Sequence, residues 1–251
     1  MTTTFQLLGP VRAWRDGREL ALGSPQQRTL LAVLLLREGL VATVDELVMA
    51  LWDTEPPVTA VGMLRTYVSR LRRVLGDDVD VHTYGPGYLL NTPREQVDVR
   101  RFRHLTDRAR QSVGRGDHLD ALRDLRAAVG LHRGTALTGA AGPFAERQRH
   151  RLDELVVTAR LDLHAAGIAL GRYEEALPDL AVLAAEHPFW ERVHELRMRA
   201  LFETGRPAEA LLQYHALRNR LAETLGIDPG ARLQHLYREI LLADRLVSAA
   251  G

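Results

Sequence analysis

Thr66, Ser69, Arg70 and Arg73 recur at helical spacing within VTAVGMLRTYVSRLRRVLG, the stretch from Val58 to Gly76, and Arg65 and Arg72 flank the same face. Arginine supplies a fork of N–H donors and the hydroxyls supply short, adaptable partners. That set suits phosphate oxygens and base edges in DNA. At about 100° per residue, Val61, Leu64, Val68, Leu71 and Leu75 fall on the opposite, apolar face, while Gly62 and Met63 join the polar one. The stretch holds four arginines and no acid, although the whole chain has a net charge of only +1. A surface helix normally mixes both signs, so the bias points to a recognition helix for DNA. An ordinary solvated helix is the alternative on this stretch alone.

The residues after Gly76 favour recognition. Asp77 to Asp80 is a short polar break, and VDVHTYGPGYLLN then gives two β-prone runs around Tyr84-Gly85-Pro86-Gly87. A helix followed by a Gly/Pro hairpin is the layout of a winged helix, and His82 and Tyr84 would lie on the wing, against the neighbouring DNA backbone. Upstream, FQLLG, VRAW and RELAL read as short antiparallel strands within residues 5–22, with Asp16-Gly17 turning the last hairpin. So small a sheet must pack on the helices next to it in the chain. Ser24-Pro25-Gln26-Gln27 is a helix start with Ser as N-cap and Gln at the third position. That helix is expected to run through RTLLAVLLLRE to a stop at Gly39. Thr43-Val44-Asp45-Glu46 is a second capping box, opening a helix through LVMALW. The acidic, proline-containing loop from Asp53 to Pro57 separates it from the recognition helix.

Composition narrows the function classes. The chain has 251 residues, 46% hydrophobic and 26% charged, which is room for one large domain or two small ones. It has no cysteine, which excludes disulfides, thiolate metal sites and cysteine nucleophiles. MTTTFQLLGP lacks the basic start and apolar core of a signal peptide, and the longest apolar run, Leu30 to Leu36, is too short to span a bilayer. A cytoplasmic protein without a membrane partner is expected. All 33 basic residues are arginine, and with so small a net charge any nucleic-acid binding must come from a local patch.

An N-terminal sheet before a winged helix, with VSRLRRVLG and then a hairpin ending in Gly-Tyr, resembles the OmpR-type DNA-binding domain. LGPVRAWRDGRELALGSPQQRTLLAVLLLREG and LRTYVSRLRRVLG are more similar still to the Streptomyces antibiotic regulatory protein family (SARP), whose members activate secondary-metabolite gene clusters. The resemblance extends into the second half. TPREQV, Thr92 to Val97, is a polar connection, giving a winged-helix domain over 1–93 and an all-α domain over 98–251. From Asp98 onward only helical patterns occur, broken by Gly and Pro. Gly171-Arg-Tyr-Glu-Glu-Ala-Leu recurs as Gly205-Arg-Pro-Ala-Glu-Ala-Leu, 34 positions on, with a weaker copy at Gly116-Asp-His-Leu-Asp-Ala-Leu. Thirty-four is the tetratricopeptide period, with Gly between two helices, Ala-Leu packing inside the second, and Pro188 and Pro229 where repeats end. By resemblance this half is the bacterial transcriptional activation domain. The expected fold class is therefore α+β, an OmpR-type winged helix-turn-helix followed by all-α tetratricopeptide-like repeats.

Other residues weigh less. Ten histidines invite a metal, but His187 and His194 lack placed carboxylates and no HExxH occurs. There is no GxSxG and no GxxxxGK[ST], so neither an enzyme nor a cofactor is expected. Larger members of the resembled family carry an ATPase domain after the repeats, and OmpR-type proteins a receiver domain before the winged helix; neither is evident, and the end at Ala249-Ala250-Gly251 fits a full chain or the front of a longer one. Trp14 and Trp52 read as core residues, and Phe189-Trp190 as packing where a repeat helix opens. Arg100, Arg101 and Arg103 read as a solvated helix face, with an extension of the DNA surface as the alternative. The resemblance to OmpR-type activators makes Trp52, Asp53 and Glu55 candidates for contact with RNA polymerase; a plain solvated loop is the alternative.

In use, Thr66, Arg70, Arg73 and Ser69 would meet base edges, and Arg65 and Arg72 phosphates. One winged helix buries little surface, so two copies on tandem direct repeats, a dimer on double-stranded DNA, are expected. SARP regulators imply direct repeats near the −35 element and recruitment of the RNA polymerase holoenzyme. A repressor or ligand-sensing regulator of the same fold, and a helical-repeat scaffold, are the other classes.

Overall fold

A computed structural model of the chain describes residues 2–250, and the side chains of all of these but 244–250. β1 (Thr3–Gln6), β2 (Arg12–Arg15) and β3 (Arg18–Glu19) form an antiparallel sheet in that order. Asp16 and Gly17 both take positive φ, 46° and 83°, as a tight Asp-Gly hairpin requires. α1 (Pro25–Leu36) opens with the expected capping box, Ser24 accepting from the Gln27 amide and Gln27 from the Ser24 amide. It closes sooner than expected: the helix ends at Leu36, because Glu38 at φ 55° has already turned left-handed before Gly39 at φ 83°. α1 is buried continuously from Thr29 to Leu35, with α2 (Val44–Trp52), α3 (Ala60–Leu75) and the wing packed around it.

α2 starts at the second expected box, where Thr43 accepts from the Glu46 amide and the Glu46 carboxylate accepts from the Thr43 amide at 2.9 Å. The acid lies close to the positive end of the helix, and Arg37, followed by the Thr43 amide, holds its carboxyl below the usual range. β4 (Ala42–Thr43), β5 (Val81–Tyr84) and β6 (Gly87–Leu90) make a second antiparallel sheet, ordered β4-β6-β5. Gly87 is required there by proximity: a Cβ would stand 2.2 Å from the Ala42 carbonyl oxygen on the paired strand.

No strand follows β6 among the described residues; α4 (Asp98–Gly114), α5 (His118–Val129), α6 (Pro143–Ala169), α7 (Tyr173–Glu186), α8 (Glu191–Glu203), α9 (Pro207–Leu225) and α10 (Ala231–Ala250) make up the rest. Gly116, Gly171 and Gly205 stand between α4 and α5, α6 and α7, and α8 and α9, at φ 82°, 76° and 73°. The alanine five residues after each glycine, Ala121, Ala176 and Ala210, is buried. The repeated heptapeptides are therefore three copies of one inter-helix turn.

The chain separates into two compact units that interleave in sequence, Met1–Arg108 with Arg126–Thr158, and Ala109–Leu125 with Ala159–Gly251. In the first, the segment after α5 runs beside the N-terminal sheet: Arg133 donates its amide to Leu8 O at 2.7 Å, Leu137 to Leu7 O at 3.0 Å, and Val11 to Thr138 O at 2.8 Å. Asp98 joins the same knot, accepting the amides of Leu7, Leu8 and Val99 at 2.7 to 2.9 Å. Burial outweighs these bonds and raises its pKa to about 6. In the second unit α7 packs on α8, α8 on α9, and α10 on both α8 and α9. Met198, Leu201, Ala210, Tyr214, Leu217 and Leu236 form the core of its last three helices, with Tyr214 stacked on Tyr237.

Candidate nucleic-acid interface

α3 buries Ala60, Leu64, Val68, Leu71 and Leu75 against the first unit. Val61, expected on that face, is 40% exposed, and the smaller Ala60 takes its place at the inner edge. The remaining positions form two neighbouring stripes. Thr66, Ser69, Arg70 and Arg73 are exposed along one, and Arg65, Ser69 and Arg72 along the next. The Thr66 hydroxyl donates to Gly62 O at 3.0 Å, leaving its lone pairs and methyl group outward. No acid interrupts the face.

Arg72 does more than face solvent. Its Nε and Nη2 donate to Val81 O at 2.8 and 2.6 Å, and Nη2 also to Thr83 Oγ1 at 2.8 Å, so it latches α3 to the first strand of the wing. On the wing itself Tyr84 is 65% exposed. His82 is exposed too, with Nδ1 3.1 Å from Asp80 Oδ2, a pair that is ionic only when the ring is protonated.

The turn before α3 differs from the expectation at Trp52. The ring is half-buried and stacks on Tyr67 of α3, centroids 6.4 Å apart, so it braces α2 against α3. Trp14 is likewise half-buried and no member of the innermost core. Asp53 and Glu55 are exposed, Asp53 at φ 59° where α2 ends. Phe189 is 39% exposed and Trp190, at the start of α8, lies against His187 with centroids 4.8 Å apart.

The arginines at the start of α4 do not form one solvated face. Arg100 is buried and donates to Thr92 O at 2.8 Å and Leu35 O at 2.7 Å, closing the C-terminal end of α1. Arg103 pairs with Glu38 at 2.6 Å, and of the three only Arg101 is exposed. The chain spacing gave no sign of this, because the acceptor carbonyls lie in a distant segment. Both ring nitrogens of buried His194 are engaged: Nε2 donates to Pro188 O at 3.2 Å, Nδ1 accepts from the Gln213 side-chain amide, and burial lowers its pKa to about 4. No group of three metal-binding side chains occurs among the described residues, and no described helix is long and apolar enough to cross a membrane.

A winged helix that turns an acid-free arginine face to solvent, ahead of stacked helical repeats, defines a class of DNA-binding regulator. Comparison with known proteins agrees. Residues 17–90 match the family model for the C-terminal domain of transcriptional regulatory proteins, and residues 97–241 the model for the bacterial transcriptional activator domain. The chain is 34% identical to the regulatory protein DnrI of Streptomyces peucetius over 98% of this chain and 95% of that one. It is 47% identical to the regulatory protein AfsR of Streptomyces coelicolor over 96% of this chain, but spans only 24% of AfsR. The structure of Mycobacterium tuberculosis EmbR in complex with a low-affinity phosphopeptide superimposes with a TM-score of 0.92 at 33% identity, over 96% of this chain and 65% of EmbR. The chain belongs to the SARP family of transcriptional regulators, with an OmpR-type winged helix and a bacterial transcriptional activator domain.

Proposed function

We propose that the protein is a sequence-specific transcriptional activator, acting in the cytoplasm on a secondary-metabolite gene cluster. The observation that carries this is the exposed, acid-free face of α3. In this reading residues 1–93 bind DNA and 98–251 serve activation. Thr66, Ser69, Arg70 and Arg73 reach base edges in the major groove, while Arg65, the remaining Nη1 of Arg72, and His82 and Tyr84 of the wing meet phosphates. Two copies sit on tandem direct repeats, since a single module buries too little surface for tight specific binding. Asp53 and Glu55, exposed beside the stacked Trp52, offer an acidic surface to the RNA polymerase holoenzyme. No cofactor enters the scheme, and no catalytic step. A name such as AfsR or DnrI supports the regulatory role for this chain; the repeats, the promoter element and the polymerase contact are inferences from the family resemblance.

The test is selection of bound sequences from random duplex DNA, with affinity followed against salt. A direct repeat spaced by about one helical turn, with a steep salt slope, is expected. Arg70→Ala or Arg73→Ala then relaxes preference at one base position by about 1–3 kcal/mol. Unchanged preference in both variants overturns the assignment of the base-reading stripe.

A ligand-sensing regulator of the same fold is favoured by one observation. A cavity of about 230 Å³ opens in the second unit among Ala109, Val113, Leu125, Ala165 and Ala166, with the Asp162–Arg192 ion pair at its rim. Small residues on facing helices leave the space. In that reading a small molecule bound there changes DNA affinity, and filling the cavity by Ala166→Leu abolishes the response.

A further inference from the structure

We infer that Arg15, on β2 of the N-terminal sheet, is a positioning residue for DNA recognition: it fixes the C-terminal end of α3 and the start of the wing, and so sets the angle at which the recognition helix meets DNA. This rests on the DNA-binding reading of α3 and gives the sheet a role in it. Arg15 lies outside the stretch, 17–90, that matches the winged-helix family model.

The last carbonyls of a helix lack partners within it and carry its negative end. At the end of α3 Arg15 supplies both a donor and a charge. Its Nη2 donates to Leu75 O, and to Val74 O at 3.3 Å. Its Nε lies 3.0 Å from Asp78 Oδ2 in the short helical turn that leads to the wing. That N–H is not aimed at the carboxylate, so the contact is a charge pair and not a hydrogen bond. The guanidinium also fills the corner of the turn: Gly76, at φ 58°, would bring a Cβ within 3.1 Å of Arg15 Nη2.

The mount is stiff. β2 is the central strand of its sheet, Arg15 pairing with Thr3 on one side and Arg18 on the other, and Asp16 Oδ1 accepts the Thr2 amide at 2.9 Å. One turn earlier on α3, Arg72 holds β5. Sheet, helix end and wing thus meet at one point. At the other end of α3 Thr59 offers no side-chain cap, and the hold there is the apolar packing of Ala60 and Leu64. A helix of 16 residues is about 24 Å long, so a tilt of about 3° at the fastened end moves the far end by about 1 Å. Displacements of that size spoil bidentate hydrogen bonds, which weaken steeply with distance and angle.

The experiment compares the full chain with Arg15→Met, Arg15→Lys and Asp78→Asn on the selected operator and on random duplex, each across a salt series, with thermal unfolding alongside. Arg15→Met is expected to lower the ratio of specific to non-specific affinity about tenfold while leaving non-specific binding and its salt slope unchanged. Arg15→Lys, which keeps a charged donor for the carbonyls, should recover part of the ratio, and Asp78→Asn should lose part of it. If Arg15→Met does not fold, the last two variants carry the test. A loss shared equally by both DNAs, with the slope falling by about one, would make Arg15 a phosphate contact and overturn the inference. So would a lower melting temperature with an unchanged ratio, the mark of a plain structural brace. A wild-type chain that enriches no sequence removes the recognition reading itself, an outcome seen before any variant is made.

Discussion

In the first compact unit Asp98 accepts the amide of Leu7, 91 residues away, and Arg100 donates to Leu35 O, 65 residues away. In the second, α8 packs on α7 and α9, its neighbours in sequence, and the same glycine turn recurs. The units solve one problem, burying a face on each helix, by different means. The winged-helix unit must hold a short sheet, the buried α1 and the half-exposed α3 in a single arrangement, and it does so with a few polar ties between distant segments. The repeat unit adds one helix to the last, so each interface resembles the one before. A regulator gains from the contrast: recognition needs one fixed geometry, while a stack of repeats can be extended without redesigning what is already there.

The largest expected effect strikes a single tie. Asp98→Ala leaves the amides of Leu7, Leu8 and Val99 without that acceptor in a buried place. Stranding such groups should cost about 3 kcal/mol or more. Urea denaturation gives the total, and hydrogen exchange at Leu7 and Leu8 should rise while that of α8 and α9 stays as it was. Equal acceleration in both units would dissolve the distinction between them.

A smaller effect separates the units by pH. Asp98 has a folded pKa of about 6, above its ordinary 3.8, so its contribution is complete below 3.8 and is lost as pH rises through 6. His194 is the reverse: its folded pKa of about 4 lies below 6.5, so its contribution is complete above 6.5 and is lost as pH falls through 4. Between those limits the two oppose each other. Relative to wild type, the stability of Asp98→Asn should climb as pH rises from 4 to 6, and that of His194→Gln should fall from 4 to 6.5. Two difference curves of the same sign would refute one of the burial arguments.

The same contrast decided what the sequence disclosed. Helix starts were readable where a capping box stands within four residues, at Ser24 and Thr43, and the wing where Gly85-Pro86 turns it. The repeats were readable because one motif is written three times. The polar stripe of α3 was readable from its spacing, since exposure follows helix geometry. Arg100, however, looks like any surface arginine, and Arg72 like any phosphate contact, until their distant acceptors are known. Val61 and the early end of α1 were missed for a related reason: a periodicity gives the direction of a side chain, not whether a neighbour reaches it.

The smallest single effect, at Gly205, has its counterpart in the other unit at Gly87. At Gly205 a Cβ would meet nothing within 4 Å, and only the left-handed backbone, φ 73°, resists it. Gly205→Ala should therefore cost about 1 kcal/mol, with the neighbouring helices able to absorb part of the strain. At Gly87 the obstacle is backbone: the new carbon would lie 2.2 Å from Ala42 O and 2.9 Å from Thr43 Cα. Nothing flexible can yield there, so Gly87→Ala must part β4 from β6 and should cost several times as much, with the wing displaced and DNA affinity reduced. Denaturation of both variants, with amide exchange of Val44, whose N–H is held by Pro86 O at 2.9 Å, reads the difference directly. Equal costs would mean that the wing is as adaptable as a repeat turn, and that the fixed geometry ascribed to the first unit does not extend to it.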